Sequence, residues 1–161
     1  MTTKTYFSSL TILWFAFIMG QILFAGVAYY VGKTDGLLGE EESTLENLFI
    51  YIVPAVAVSA IGISTFLHRN ILGQAKNQTG LSGKMDKYRS AFIIKMALHE
   101  GPSLLSLVAF FLTGNMLFLA VSGVIILLQA VMRPSPEKAI EELQLVGDEK
   151  DILQREDGKV G

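Results

Sequence analysis

Few side chains in this sequence have both the chemistry and the setting for a functional site, and Glu100 is the clearest of them. It falls within Arg89–Leu112, RSAFIIKMALHEGPSLLSLVAFFL, with His99 before it and Gly101-Pro102 after it. The stretch is long and apolar enough to cross a bilayer, and an ionisable residue at such depth is costly and by default functional. Counting from the start of the run places Glu100 about 10 residues, or ~15 Å, into a helix. At that depth it must be neutral, paired or hydrogen-bonded. Pro102 cannot donate to the Leu98 carbonyl, so an acceptor is left near the acid. Ser103 adds a hydroxyl one turn on, and Gln21, Ser59 and Ser122 lie at similar depth on other apolar runs. Glu100 is therefore the candidate proton or cation site, with Gln21, Ser103, Ser59 and Ser122 as supporting polar groups. Structural readings stand beside this one. Glu100 can serve as a packing or pairing contact, and Gln21 as an interhelical hydrogen bond.

Other chemistries find less support. There is no cysteine, which excludes disulfides, thiolate nucleophiles and thiolate-held metals. His68 and His99 form no HExxH-type pair, so no metal site is predicted. The Ser and Thr residues lack a base with an orienting partner. The consecutive Glu40, Glu41 and Glu42 lack the alternating ligands of a calcium loop. Gly80 and Gly83 are not arranged as a phosphate cradle. No enzyme activity and no cofactor are predicted. No basic, aromatic-interleaved face points to nucleic acid.

The elements that would hold Glu100 are apolar helices. Of the 161 residues, 51% are hydrophobic, and the charges cluster between long uncharged runs. Four runs approach the ~20 residues that a span needs: 7–32, 48–67, 90–112 and 115–132. The first is longer than a signal-peptide core and is read as a retained helix. Lys and Arg gather in the 69–89 segment and after Met132, whereas the 33–47 segment is acidic. This asymmetry puts both termini and the middle loop on the cytoplasmic side. The fold expected is an all-α membrane protein of four transmembrane helices, arranged as two tandem hairpins, N-in and C-in. A transmembrane domain covers 1–133. A cytoplasmic helix and flexible tail cover 134–161, the helix over 136–146 being capped by Ser135 with Pro136 next. Its apolar side is Ala139, Ile140, Leu143 and Val146. The turn formers and charges of 68–88 predict a loop. Pro54 is expected in the first turns of the second helix, and Ser43 or Thr44 at its cap.

The first and third runs align at an offset of 81: Ser9/Ser90, Ile12/Ile93, Ala16/Ala97, Gly20/Gly101, Leu23/Leu104, Val27/Val108 and Ala28/Ala109. All but the last pair follow steps of three and four, which puts them on one helical face. The pairs Ala16/Gly20 and Ala97/Gly101 are small-xxx-small signatures of close helix packing, and Gly62 plays the same part in the second helix. Met19 stands where Glu100 stands in the second copy.

The third run resembles the carboxylate-bearing helix of the proteolipid c subunit of rotary ATP synthases. The matching residues are Arg89-Ser90-Ala91-Phe92-Ile93-Ile94, Ala97-Leu98, Glu100 and Leu107-Val108-Ala109. The second run is similar to that family's first helix in its small residues, Ala55, Ala57, Ser59, Gly62 and Ser64, with Arg69-Asn70 in the connecting segment. The likeness covers residues 54–112. Pro102 and Lys95 depart from the pattern, and the first and fourth runs are additional. The resemblance implies that Glu100 is an ion-binding carboxylate, with Ser59 and Gly62 at close-packing positions. The function expected is a proteolipid-like, oligomeric protein of the plasma membrane (the inner membrane in a bacterium), with Glu100 a reversible proton or cation site. The alternative is a non-catalytic structural or assembly subunit of a larger membrane complex. The partners expected are membrane lipids and either further copies or a larger membrane complex.

Overall fold

The structure is a computed structural model, and it describes residues 1–32 and 42–160 (from residue 44 for the side chains of the second helix). Six helices follow in order: α1 Thr3–Gly32, α2 Glu42–Lys76, α3 Leu81–Thr113, α4 Met116–Ala130, α5 Pro136–Leu143 and α6 Asp148–Gln154. Among the described residues the only β pairing is an isolated antiparallel bridge between Thr2 and Lys159. The expectation of an all-helical chain is met. Three helices are long and apolar enough to cross a membrane: α1, α2 from Thr44, and α3. α4 is an apolar helix of 15 residues, or ~22 Å, against a hydrocarbon core of ~30 Å. Large apolar side chains lie exposed along α1 and α2, including Ile12, Leu23, Tyr51, Val58 and Phe66. Apolar surface on that scale marks a lipid or protein contact. It is the surface of a membrane-embedded protein.

Several boundaries differ from the sequence reading. The segment 68–88 is not a long loop. α2 continues to Lys76, α3 begins at Leu81, and a turn of four residues, Asn77–Gly80, joins them. Gly80 takes φ +86, a left-handed value that suits glycine. The extensions are helical because they bury a stripe: Leu72 and Ala75 on α2, and Leu81, Met85 and Tyr88 on α3. Those spacings are helical, and Gln74, Ser82 and Asp86 between them are exposed. α2 also starts earlier than expected, so Ser43 and Thr44 lie within its first turn and not at its cap, and Pro54 is an interior residue. Pro54 removes the N–H that the Ile50 carbonyl would accept. The acidic loop, with Glu40 and Glu41 and the calcium pattern considered there, lies outside the described residues.

Two compact units divide the chain. The first comprises Met1–Ala16, Ser64–Met96 and Arg133–Gly161; the second comprises Phe17–Ile63 and Ala97–Met132. In the first, Tyr6, Phe7, Leu10, Met85, Tyr88 and Phe92 are buried. The Tyr6 hydroxyl donates to the Met85 carbonyl at 2.6 Å, and Phe7 meets Tyr6 and Tyr88 edge to face. α5 has the expected start: the Ser135 hydroxyl accepts from the Lys138 N–H, with Pro136 at the first turn. The Glu137 carboxyl is held below the usual carboxylate range by its own backbone N–H and by Ser135. α5 ends earlier than expected, because Gln144 turns left-handed at φ 54. Ala139 and Leu143 are buried, whereas Val146 lies beyond the helix and is exposed.

The last residues, expected as a tail, carry α6 and then pair with the N-terminus. The Val160 N–H donates to the Met1 carbonyl, and the Thr3 N–H donates to the Gly158 carbonyl. Leu153 and Val160 are buried, and Lys84 reaches Glu149 at 2.6 Å. The two apolar residues are the physical reason for the docking, since each removes side-chain surface from water that a free tail would expose.

The second unit has its core in Ala28, Val53, Ala109, Phe110 and Phe118. Tyr29 stacks on Phe110, and Phe49 meets Phe118 edge to face. Asn115 caps α4 by accepting from the Leu117 N–H, and its side-chain amide donates to Glu46. Every Lys and Arg except Lys33 falls in the segments of the first unit.

Candidate membrane-embedded acid site

α3 presents two chemically different faces within the second unit. Its inward face carries His99, Ser103, Ser106, Leu107 and Phe110, all buried. Its outward face carries Ala97, Gly101 and Val108, which are exposed, with Glu100 and Leu104 partly covered. Successive helical residues differ in direction by ~100°, so His99 and Glu100 belong to different faces. Pro102 lies inside α3 and is buried, and the helix runs through it unbroken.

The inward polar groups are matched within the chain. Ser103 Oγ lies 2.9 Å from Ser122 Oγ of α4. Ser106 Oγ donates to the Phe118 carbonyl at 2.6 Å. Gln21 Nε2 donates to the Phe17 carbonyl at 3.0 Å and to Gln129 Oε1 at 2.6 Å. Gln21, Ser103, Ser106, Ser122 and Gln129 are all fully buried, where an unmade hydrogen bond costs more than a made one contributes. Gln21 Oε1 is the one atom of this set that is buried without a partner. Of the four supporting residues predicted, three thus sit in interhelical hydrogen bonds. Ser59 is exposed on α2 and joins none of them. Gln129 was not among the predicted site residues. Its signal was an amide inside an otherwise apolar run, the same signal that singled out Gln21.

Glu100 is different. It makes no hydrogen bond or ion pair among the described residues, and it shares its face with Ala97 and Gly101. Close packing at the predicted small residues is not seen among the described residues. Ala16, Gly20, Ala97, Gly101 and Gly62 are all exposed, and a methyl group added at Gly20, Gly62 or Gly101 would meet nothing within 4 Å. Their hydrogen side chains leave a surface on which another backbone fits closely. Chemically, the face offers one carboxyl group in an apolar, small-residue setting. It can hold a proton by itself. It can hold a metal cation only if further oxygens come from elsewhere, since one carboxylate is far from a full ligand set. Among the described residues no cluster of three or more His, Asp or Glu could hold a metal ion.

The aligned positions of α1 and α3 also have corresponding environments. Ser9 Oγ bonds back to the Thr5 carbonyl, and Ser90 Oγ bonds back to the Asp86 carbonyl. Ala28 and Ala109, the matched pair off the stripe, are both in the core. Met19 and Glu100 are both partly covered.

No family model matches the chain, and neither a curated protein nor a solved structure matches it.

Proposed function

We propose that this is a small polytopic protein of the plasma membrane that associates through its outward small-residue faces, and in which Glu100 takes up and releases a proton or a cation at that contact. The observation that carries the reading is the outward position of Glu100 beside Ala97 and Gly101, without a partner among the described residues, while Ser103 and Ser106 on the inward face of α3 are hydrogen-bonded. The likeness of α2 and α3 to a proteolipid hairpin supports the same use of the acid. Four spans in two tandem hairpins, with both termini cytoplasmic, complete the picture. The concentration of Lys and Arg in the first unit supports that orientation. α4, short as a helix, reaches span length with Asn115 and the residues up to Met132, and would cross with little tilt.

A second reading has an observation of its own. Gly20 and Gly62 open similar surfaces on α1 and α2, where no acid stands. This favours a structural or assembly subunit whose several faces receive other helices, with Glu100 one pairing contact among them. The two readings separate on Glu100→Gln and Glu100→Leu, each in reconstituted vesicles. The ion-site reading predicts that proton or sodium uptake falls at least ~10-fold in Glu100→Gln, a loss worth ~1.4 kcal/mol or more. Uptake and assembly both intact in Glu100→Gln, with assembly lost in Glu100→Leu, would replace it with the structural reading.

A further inference from the structure

α2 runs on past its apolar stretch as Arg69-Asn70-Ile71-Leu72-Gly73-Gln74-Ala75-Lys76. Thr65, His68, Arg69, Leu72, Gly73 and Lys76 recur at steps of three, one, three, one and three, which sets them along one side of the helix. Together with Lys95 of α3 and Glu142 of α5, they line a pocket of about 460 Å³. All of these residues belong to the first unit, and the volume is that of a small-ligand site.

The charge in this pocket is unbalanced. Its lining carries Arg69, Lys76 and Lys95 and one carboxylate, Glu142, which is engaged by His68 Nε2 at 3.3 Å. Arg69 and Lys76 make no ion pair among the described residues. His68 is buried, and its Nδ1 has no hydrogen-bond partner among the described residues. Like charges around one cavity repel, and an anion with several oxygens removes that repulsion. The middle of the wall is also open: Gly73 stands between Arg69 and Lys76, and a methyl group there would meet nothing within 4 Å. Arg matches the oxygens of a phosphate in a two-pronged fashion, and Lys adds a mobile point charge.

We propose that this pocket binds a phosphate-bearing anion through Arg69, Lys76 and Lys95. The assignment is independent of Glu100. The same chemistry serves the headgroup of an anionic phospholipid and a soluble phosphate compound. Phe66, just before the pocket on α2, is 68% accessible, an apolar side chain that an acyl chain can contact.

The test uses the full chain in phosphatidylcholine nanodiscs. Phosphatidylglycerol is titrated in and counted by native mass spectrometry, and inorganic phosphate is then added as competitor. The wild type is expected to retain phosphatidylglycerol selectively or to bind inorganic phosphate. Displacement of the lipid by millimolar phosphate assigns the pocket to soluble phosphates, and retention against it assigns the pocket to the headgroup. Each basic residue near a membrane surface contributes about fivefold in affinity, so Arg69→Gln, Lys76→Gln and Lys95→Gln combined are expected to weaken binding about 100-fold. Gly73→Glu, which places a carboxylate among the cations, is expected to weaken it at least ~10-fold, while Gly73→Ala leaves it unchanged. These single changes on an exposed helical face decide the matter if the triple variant loses its helix content. The proposal is overturned if the wild type binds neither probe. It is equally overturned if Gly73→Glu binds like the wild type, or if Lys138→Gln with Arg155→Gln, outside the pocket, causes the same loss as the triple variant.

Discussion

α1 and α3 present nearly the same outward stripe and differ in one chemical respect. Ile12, Ala16, Gly20, Leu23 and Val27 on α1 correspond to Ile93, Ala97, Gly101, Leu104 and Val108 on α3, and Met19 corresponds to Glu100. The α1 stripe is exposed along its length, with Ile12 at 68% and Leu23 at 65%; the α3 stripe is exposed at Ala97, Gly101 and Val108. Both stripes thus expose small and apolar residues, but only α3 has an acid. Packing alone explains α1, since small residues and apolar neighbours suffice for contact in lipid. It does not explain α3, because a Met would have packed as well at far less cost than a carboxyl. Glu100 is therefore the chemical difference between the two stripes.

The sharpest way to break this comparison is to fill the stripes. Gly101→Leu is expected to lower self-association or partner capture at least ~10-fold, as measured by Förster transfer between labelled copies in vesicles, with helix content unchanged because the site is open. Gly20→Leu is expected to act on association to a similar degree but to leave any ion uptake per assembled unit intact. If both substitutions leave association unchanged, the stripes are lipid-facing surfaces and the comparison loses its meaning. A smaller effect is expected from the inward side. Gln129→Leu removes one of the two acceptors of Gln21 Nε2; it should cost about 1–2 kcal/mol in a denaturant titration in detergent. Gln21→Leu combined with Gln129→Leu should recover part of that loss. A strictly additive double variant would mean that the two amides are not coupled, and that the polar seam does not distinguish the inward from the outward face.

Much of this arrangement can be read in the sequence, and the reasons it stops are physical. Long uncharged runs reveal the apolar helices, since no soluble core needs so many consecutive apolar residues. Ser135-Pro136 reveals the start of α5, because both residues have helix-entry chemistry. The repeat reveals the α1 and α3 stripes through spacing. Spacing cannot say whether a small-residue stripe turns toward its own chain or away from it, because the same residues suit either contact; here they turn away. The 68–88 segment looked like a loop because Asn, Gly, Lys and Gln dominate it. The helical signal in it is the sparse set Leu72, Ala75, Leu81, Met85 and Tyr88, each separated by residues that water can solvate. The docking of the C-terminus rests on Leu153 and Val160, two apolar residues in a polar stretch, and their contacts lie far away in sequence. The pocket at Arg69, Lys76 and Lys95 was legible only as a charge excess, because Lys95 and Glu142 join it through tertiary structure alone.

Glu100 can be questioned directly by its own reactivity. Dicyclohexylcarbodiimide attacks protonated carboxyl groups in apolar settings, and its adduct is located by mass spectrometry of the intact chain and its fragments. A reversible ion site at Glu100 predicts labelling there, loss of that label in Glu100→Gln, and slower labelling either at raised pH or in the presence of sodium, according to which ion the site holds. A wild-type chain that remains unlabelled at Glu100, or a label indifferent to both pH and sodium, would contradict the assignment of this residue as a reversible ion site.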